Sequence, residues 1–388
     1  MAGAVSFIRD ADWLTHARVR GYAVLIGVAS LGLLVASYIA AMGPTGSDFL
    51  AFWGAAKAVW VGDPAGAYDL ALQENLQTPV TGENWFAFVN PPPFLFAVAP
   101  FGAIPFQLAW IAWVVVTWSL WAWAATAMFP RLWLLVVTFP GALIAATHAQ
   151  SGLLIGALLI AAVHWLDRRG AWSGAAIGAL IVKPHFAVLL PFWLAAGRRW
   201  RAFAWAGLSV AGLLLASWTV FGTDTMLAYP DAWQASRALL AEPRVDFQLR
   251  QISFYAQARL FLSEGAALAV AALSFVLALA AALAAWRRFG DDVRGSAALL
   301  LAATALATPY AFSYDLAFLI VPILYCVERG LADGFRPYEK LVLVALWFAP
   351  YATRAAALPL GLNLMPFCAL ILMWLVWSRR PRTGRSTV

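Results

Sequence analysis

The stretch Gly46-Ser47-Asp48-Phe49-Leu50-Ala51-Phe52-Trp53 places a carboxylate shortly after the first long apolar run, residues 21–41. Asp48 stands where a membrane helix is expected to emerge, and apolar and aromatic residues follow it at once. A polar group with aromatic neighbours at a bilayer boundary is either part of the interface or an acid of a functional site. The rest of the sequence has to decide between these two interpretations.

The composition places the chain in a membrane. Of its 388 residues, 63% are hydrophobic and 12% are charged, with 21 Trp and 25 Phe. A water-soluble core could not bury this much apolar surface, and the apolar runs recur along the whole chain, so we predict one all-α polytopic membrane domain over residues 1–388. Cys326 and Cys368 lie in apolar runs without metal-ligand spacing, so neither a disulfide framework nor a zinc site is indicated.

The net charge of +7 reflects membrane topology. Lys and Arg residues occur in short clusters between apolar runs, as the positive-inside rule requires, so we predict no nucleic-acid partner. Residues 1–20 carry basic residues ahead of the first apolar run and are predicted to be a cytoplasmic segment. That run is longer than the apolar part of a signal peptide, so we interpret it as an uncleaved anchor.

The side on which each loop lies depends on residues 91–104, an apolar piece that opens with three prolines. If this piece crosses the bilayer, the later basic clusters all lie outside; if it is re-entrant, they all lie inside. We therefore predict a re-entrant piece within a first periplasmic loop, 43–105, and a second periplasmic loop, 223–263, with an interfacial helix. About twelve spans result, with both ends cytoplasmic: 21–41, 106–128, 132–147, 152–166, 171–183, 185–197, 202–222, 264–286, 296–310, 315–328, 341–357 and 362–378.

Two predicted hairpins are too short to reach the far side of a bilayer. The spans 171–183 and 185–197 meet at Lys183-Pro184-His185, and each is shorter than the roughly 17–25 residues that a crossing needs. A second bend contains His148 and Gln150. Polar, irregular backbone at membrane depth is tolerated where it lines a wet cavity, so we predict an outward-opening cavity with these four side chains on its wall.

The sequence has no phosphate-binding Gly loop, HExxH, GxSxG or CxxC motif, which argues against ATPases, metalloproteases of that type and serine hydrolases. One acid and several cationic groups in an apolar cavity suit the transfer of a group from a phosphate leaving group. Asp48 is the candidate base, although it could equally be the N-cap of a helix that begins at Phe49. Lys183, His185 and Arg250 are candidates for binding the phosphate. Alternatively, Lys183 and His185 form a structural pair, and Arg250 lies on a solvated face.

Seven further polar residues are candidates for contacts with sugar or acceptor. Each has an ordinary structural alternative: a turn, a helix-packing contact, a solvated face or an N-cap. They are Tyr68, Asp69, Asn90, His148, Gln150, Gln251 and Asp315.

Several short motifs follow one another in a distinctive order over nearly the whole chain. They are Ser47-Asp48-Phe49 through Phe52-Trp53-Gly54-Ala55-Ala56, Gly62-Asp63-Pro64 with Tyr68-Asp69, Asn90-Pro91-Pro92-Pro93 leading to Pro100 and Pro105, His148-Ala149-Gln150-Ser151-Gly152-Leu153-Leu154, Gly178 to Lys183-Pro184-His185, and Thr308-Pro309 followed by Tyr314-Asp315. In this order they resemble glycosyltransferase family 87, bacterial membrane enzymes of the GT-C superfamily.

The resemblance implies an enzyme of the bacterial cytoplasmic (inner) membrane with its active site facing the periplasm. Such an enzyme takes a sugar, typically mannose, from a polyprenyl-phosphate carrier and adds it with inversion to a glycan or glycolipid. The family's presumed general base maps to Asp48, and neither a metal nor another cofactor is implied. The expected partners are the lipid-linked donor, the acceptor and membrane lipids.

Two other classes of protein remain open at this point. Short, broken spans with polar bends are typical of a secondary transporter or a flippase-like protein for a polar or lipid-linked substrate. A transporter of this kind is expected to show symmetry between the two halves of the chain, and we find none in the sequence. A non-catalytic scaffold is the third possibility, and it would tolerate replacement of Asp48 by asparagine.

Overall fold

A computed structural model describes residues 7–241 and 245–381, with the backbone alone described for 235–241. Within these ranges all regular structure is helical, and the only strand-like pairing is an isolated bridge between Gln251 and Phe312. The all-α prediction is therefore confirmed. Residues 1–6 of the predicted cytoplasmic segment, 242–244 of the predicted second periplasmic loop and the terminal 382–388 lie outside the described residues.

Five helices in the described part of the chain are long and apolar enough to cross a membrane, and a bent pair makes up to six. The bent pair is Pro130–Val137 with Pro140–Thr147, which meet at 46°. The first and third of the five leave most of their apolar residues uncovered, as helices that face lipid do. The five are His16–Ala41, Phe106–Met128, Trp200–Gln234 within the helix Trp200–Ala241, Glu264–Phe289 and Glu339–Leu360.

The remaining predicted spans correspond to shorter or broken helices, so the predicted count of twelve is not confirmed. The long helix Trp200–Ala241 is interrupted by non-helical geometry at Gly222, the residue at which a predicted span ends. The shorter apolar helices are Phe49–Trp60, Phe94–Ala103, Gly152–Trp165, Gly170–Val182, Pro184–Ala196, Val293–Ala307 and Met365–Ser378. The other helical pieces are Pro64–Ala67, Leu70–Thr81, Val245–Arg250, Phe254–Arg259, Ser313–Leu319 and Ile320–Asp333.

Within residues 91–104 lies the short helix Phe94–Ala103, which is α-helical over Phe94–Val98 and continues as a 3-10 helix over Ala99–Ala103. Both parts pack on Phe49–Trp60. The indole of Trp60 donates a 2.6 Å hydrogen bond to the carbonyl of Ala99. At a rise of about 1.5–2 Å per residue, the helix Phe94–Ala103 is too short to cross roughly 30 Å of hydrocarbon.

Small residues allow the helices around the short hairpin to approach closely. A Cβ on Gly174 would lie 2.4 Å from the carbonyl oxygen of Ala202, and one on Gly178 would lie 2.4 Å from the Cβ of Ser209. These two glycines are four residues apart on one face of their helix, the spacing of close helix pairs in membranes. The short helix is thereby held against the long helix Trp200–Ala241.

One end of the helical bundle, which we call the basic end, is held together by ionic contacts. Arg379 and Glu339 form a buried ion pair there, and the Arg288 guanidinium donates to the Arg379 carbonyl at 2.7 Å. Lys340 pairs with Asp12 at 2.9 Å, which ties the N-terminal segment to the same end.

The other ends of the long helices meet at what we call the cavity end. The Asn363 backbone N–H donates to the Gln257 side chain at 2.8 Å, and the Asn363 amide donates to the Leu249 carbonyl at 3.1 Å. Ser253 donates to the Pro309 carbonyl at 2.6 Å. These bonds join the segments around 250, 309 and 363 into one polar rim.

Replacing Gly152 by alanine is expected to destabilise the protein. A Cβ on Gly152 would lie 1.8 Å from the carbonyl oxygen of Tyr314, where the helix Gly152–Trp165 packs on Ser313–Leu319. Overpacking of this kind costs about 1–3 kcal/mol. We expect a lower melting temperature in detergent.

The matched control for this change is Gly207→Ala, because nothing lies within 4 Å of a Cβ at that helical position. An added methyl group there should leave stability unchanged or raise it by about 0.5–1 kcal/mol. Equal melting temperatures for the two variants would contradict the close approach at Gly152.

Candidate active site

A cavity of about 430 Å³ lies at the cavity end of the bundle. Six of the side chains predicted from the sequence line its wall, and they come from elements far apart in the chain. They are Asp48, Asn90, His148, Gln150, Lys183 and Arg250. The structure thus brings the candidate base and two of the candidate phosphate ligands to one chamber.

Asp48 directly precedes the helix Phe49–Trp60 but makes no capping hydrogen bond with its side chain. Instead its Oδ2 accepts a 3.0 Å hydrogen bond from the Gln150 amide. Asp48 thus occupies the N-cap position predicted as the alternative, but its carboxylate does not cap the helix. Its other carboxylate oxygen accepts no hydrogen bond from the described chain, which leaves it available to a hydroxyl inside the cavity.

The turn at His148 directs Gln150 toward Asp48. Ala149 adopts a left-handed backbone conformation with φ of 46°, which is uncommon for a residue with a Cβ. His148 Nδ1 lies 2.9 Å from the Ile144 carbonyl. Because a carbonyl can only accept, Nδ1 carries the proton, and in the neutral ring Nε2 is left as an acceptor.

Lys183 lies on the cavity wall and is paired with Asp315, which lies behind it. Its Nζ lies 2.5 Å from Asp315 Oδ1, and the Asp315 side chain is 1% exposed. The second oxygen of Asp315 accepts from the Phe312 backbone N–H at 3.1 Å. The positive charge of Lys183 is thus largely balanced by a buried carboxylate. Asp315 does not lie on the wall, where it was predicted to contact the acceptor.

Asn90 connects the first predicted periplasmic loop to the bend at Lys183. Its side-chain amide donates to the Val182 carbonyl at 3.3 Å, and its own carbonyl accepts from the Tyr68 hydroxyl at 2.9 Å. The Tyr68 side chain is otherwise buried and does not line the cavity. Its hydroxyl therefore supports the position of Asn90 from behind.

Asp69 also lies away from the cavity wall. It is exposed, and its carboxylate accepts from the backbone N–H groups of Ala71 and Leu72 at 2.8 and 3.1 Å. This is the geometry of a helix N-cap, so the turn-forming alternative explains the residue.

His185 and Gln251 are likewise absent from the wall. The His185 ring packs on Phe186 and Tyr310, with centroid distances of 4.6 and 6.1 Å. Gln251 is buried and pairs through its backbone with Phe312. The predicted contacts of both residues with phosphate or glycan stay predictions, and the geometry of the cavity adds no support to them.

Five polar residues on the wall were not predicted as site residues: Ser151, Tyr310, Ser313, Tyr314 and Arg354. The Tyr310 hydroxyl is protonated at neutral pH, as in any tyrosine, and can donate a hydrogen bond into the cavity. Arg354 could have been found from the sequence, because it is the only charged residue of the predicted span 341–357 and ionisable residues within spans are typically functional.

No three His, Cys, Asp or Glu side chains within 7–241 and 245–381 are grouped as a metal site would require. The polar chemistry described for the cavity comes from one carboxylate, amides, hydroxyls and cationic side chains.

Comparison with known proteins assigns the chain to a family. Neither a curated protein nor a solved structure matches it. The model of glycosyltransferase family 87 matches residues 88–309, which is more than half of the chain and includes Asn90, His148, Gln150, Lys183 and Arg250 on the cavity wall. The chain therefore belongs to glycosyltransferase family 87 and is a membrane glycosyltransferase.

Proposed function

We propose that this protein transfers mannose, with inversion, from a polyprenyl-phosphate carrier to a hydroxyl of a glycan or glycolipid. The observation that carries the proposal is the common cavity, in which Asp48 and cationic side chains face one space. Family membership favours glycosyl transfer over the transporter alternative.

The chemistry needs one base and one stabilised leaving group. The acceptor O–H gives its proton to Asp48, and the acceptor oxygen attacks the anomeric carbon. The bond between that carbon and the phosphate oxygen breaks, and its electron pair leaves with the phosphate. A single displacement inverts the anomeric centre, and cationic groups on the wall neutralise the charge that builds up on the phosphate.

The distribution of positive charge supports a periplasmic location for the site. The basic end carries clusters such as Arg198-Arg199 and Arg287-Arg288, so the positive-inside rule assigns it to the cytoplasm. The cavity then opens toward the periplasm of a bacterial inner membrane. The uncovered apolar faces of the long helices are suited to contact with lipid, from which a polyprenyl chain can enter sideways.

The test is a donor panel with the purified protein in nanodiscs. Polyprenyl-phosphate [¹⁴C]mannose, polyprenyl-phosphate [¹⁴C]glucose and a nucleotide-linked [¹⁴C]mannose are each offered with a membrane-lipid extract as acceptor. We expect label to reach the acceptor from the polyprenyl-phosphate mannose alone. Transfer from the nucleotide sugar would overturn the proposed carrier, and transfer from the glucose donor would overturn the proposed sugar.

Replacing Gln150 by leucine is expected to lower kcat by about tenfold. The Gln150 amide holds Asp48 through a 3.0 Å hydrogen bond, and a hydrogen bond to a charged group contributes about 1.5–3 kcal/mol. Gln107→Leu, at an exposed position away from the wall, is the matched control and should transfer sugar at the normal rate. An unchanged kcat for the Gln150 variant would show that Asp48 needs no such support.

A further inference from the structure

We propose that Arg250 and Arg354 together form the phosphate site of the cavity, and that Lys183 serves mainly as the structural partner of Asp315. The ligand is a phosphate monoester on a polyprenyl chain, the product that remains when the sugar has left. This inference rests on the proposed function, which it makes more specific.

Arg354 projects from an otherwise apolar part of the helix Glu339–Leu360 and is half-buried on the cavity wall. It lies six residues before the end of that helix, about 9 Å along its axis. A charged side chain at this depth is costly unless it has a role. In the described chain, the Arg354 guanidinium has neither a hydrogen-bond partner nor an ion-pair partner.

Arg250 reaches the same cavity from the end of the helix Val245–Arg250, which packs against Glu339–Leu360. Arg250 and Arg354 place two positive charges on the wall of this one cavity. Within the ranges that the structure covers, Arg250 also lacks a carboxylate partner. An anion in the cavity would stabilise two guanidinium groups that lack a carboxylate partner, and phosphate oxygens match their paired N–H donors.

Lys183 differs from these arginines because its charge is already matched. Its ammonium group lies 2.5 Å from the buried carboxylate of Asp315. A phosphate that approached Lys183 would compete with this carboxylate. The net positive charge available to a ligand therefore comes from the two arginines.

Two buried hydroxyls on the wall independently indicate a bound polar ligand. Ser151 and Ser313 line the cavity and are 1% and 2% exposed. Among the residues that the structure describes, neither Oγ has a hydrogen-bond partner. Buried hydroxyls without hydrogen-bond partners are rare in native proteins. We therefore infer that a bound ligand with acceptor oxygens accepts hydrogen bonds from Ser151 and Ser313.

The charge of the site fits the product better than the donor. A sugar phosphodiester carries one negative charge, whereas the departing polyprenyl phosphate approaches two. Two arginines therefore bind more strongly as the carbon–oxygen bond breaks, which is the condition for lowering the barrier of the reaction. Replacement of Arg354 should reduce kcat more than it raises the KM for the donor.

The test measures binding separately from transfer. Undecaprenyl phosphate, undecaprenol and inorganic phosphate are titrated against the full-length protein in detergent, for the parent chain, Arg354→Gln, Arg354→Lys and the control Arg259→Gln. Arg259 is a half-buried arginine in the nearby helix Phe254–Arg259 that does not line the cavity. Melting temperatures establish that each variant is folded.

We expect Arg354→Gln to weaken undecaprenyl phosphate binding at least tenfold, Arg354→Lys to retain part of the affinity, and Arg259→Gln to match the parent. Undecaprenol should bind all four proteins alike. Unchanged undecaprenyl phosphate affinity in Arg354→Gln would overturn the proposal. Binding of inorganic phosphate as tight as that of undecaprenyl phosphate would overturn the lipid-linked source. Tight binding of undecaprenyl phosphate by a protein that transfers no sugar would refute the proposed function, but it would still support the arginine site.

Discussion

Asp48→Asn is expected to lower kcat for sugar transfer by about 10²–10⁴-fold, the usual contribution of a general base. The asparagine oxygen can still accept the hydrogen bond that Gln150 donates to Asp48 Oδ2. The wall of the cavity therefore keeps its shape while the base is lost. Binding of undecaprenyl phosphate should be kept, because the two arginines of the proposed phosphate site are untouched.

The measurement compares single-turnover rates of the parent and of Asp48→Asn with saturating lipid-linked donor. Asp224→Asn is the matched control, because Asp224 is exposed on the helix Trp200–Ala241 and away from the cavity. We expect normal transfer by the control. Equal, measurable rates for all three proteins would exclude Asp48 as the base, whereas no transfer by any of them would favour the scaffold interpretation of the cavity.

The parts of the site that follow from local pattern were predicted from the sequence. Asp48 follows an apolar run and Lys183 lies at a bend between two spans that are too short, and both features are visible without a structure. The helix Phe106–Met128 likewise has the predicted bounds, because a long apolar run between Pro105 and Pro130 leaves little freedom in where it begins and ends.

Contacts between distant segments could not be predicted in this way. The partner of Lys183 is Asp315, 132 residues away, and nothing in the local sequence distinguishes this carboxylate from a helix cap. Asp69 was a candidate for contact with sugar or acceptor because it lies in a family-like motif. In the structure its carboxylate caps the helix that follows it. Pairing of this kind is decided by how helices pack.

The number of membrane spans could not be predicted for a similar reason. Hydropathy marks each apolar segment, but it does not reveal whether that segment crosses the bilayer or ends inside the protein. The piece Gly170–Val182 is apolar and yet shorter than a crossing, and it ends at the Lys183 bend on the cavity wall. Broken helices of this kind create the chamber by ending beside it.

Lys183→Met is expected to lower the free energy of unfolding by about 3–5 kcal/mol, the usual cost of leaving one member of a buried ion pair alone. The Asp315 carboxylate is 1% exposed, so solvent cannot replace the lost ammonium group. Loss of activity in this variant would follow from loss of structure and would not identify Lys183 as a phosphate ligand. Chemical unfolding in detergent measures the change.

The double variant Lys183→Met/Asp315→Asn separates the two roles. Asparagine is neutral and its side-chain oxygen can still accept from the Phe312 N–H, which bonds Asp315 at 3.1 Å. Most of the lost stability should therefore return, and undecaprenyl phosphate should bind within a few-fold of the parent, because Arg250 and Arg354 remain. A stable double variant that binds undecaprenyl phosphate at least tenfold more weakly would restore Lys183 as a direct ligand of the phosphate.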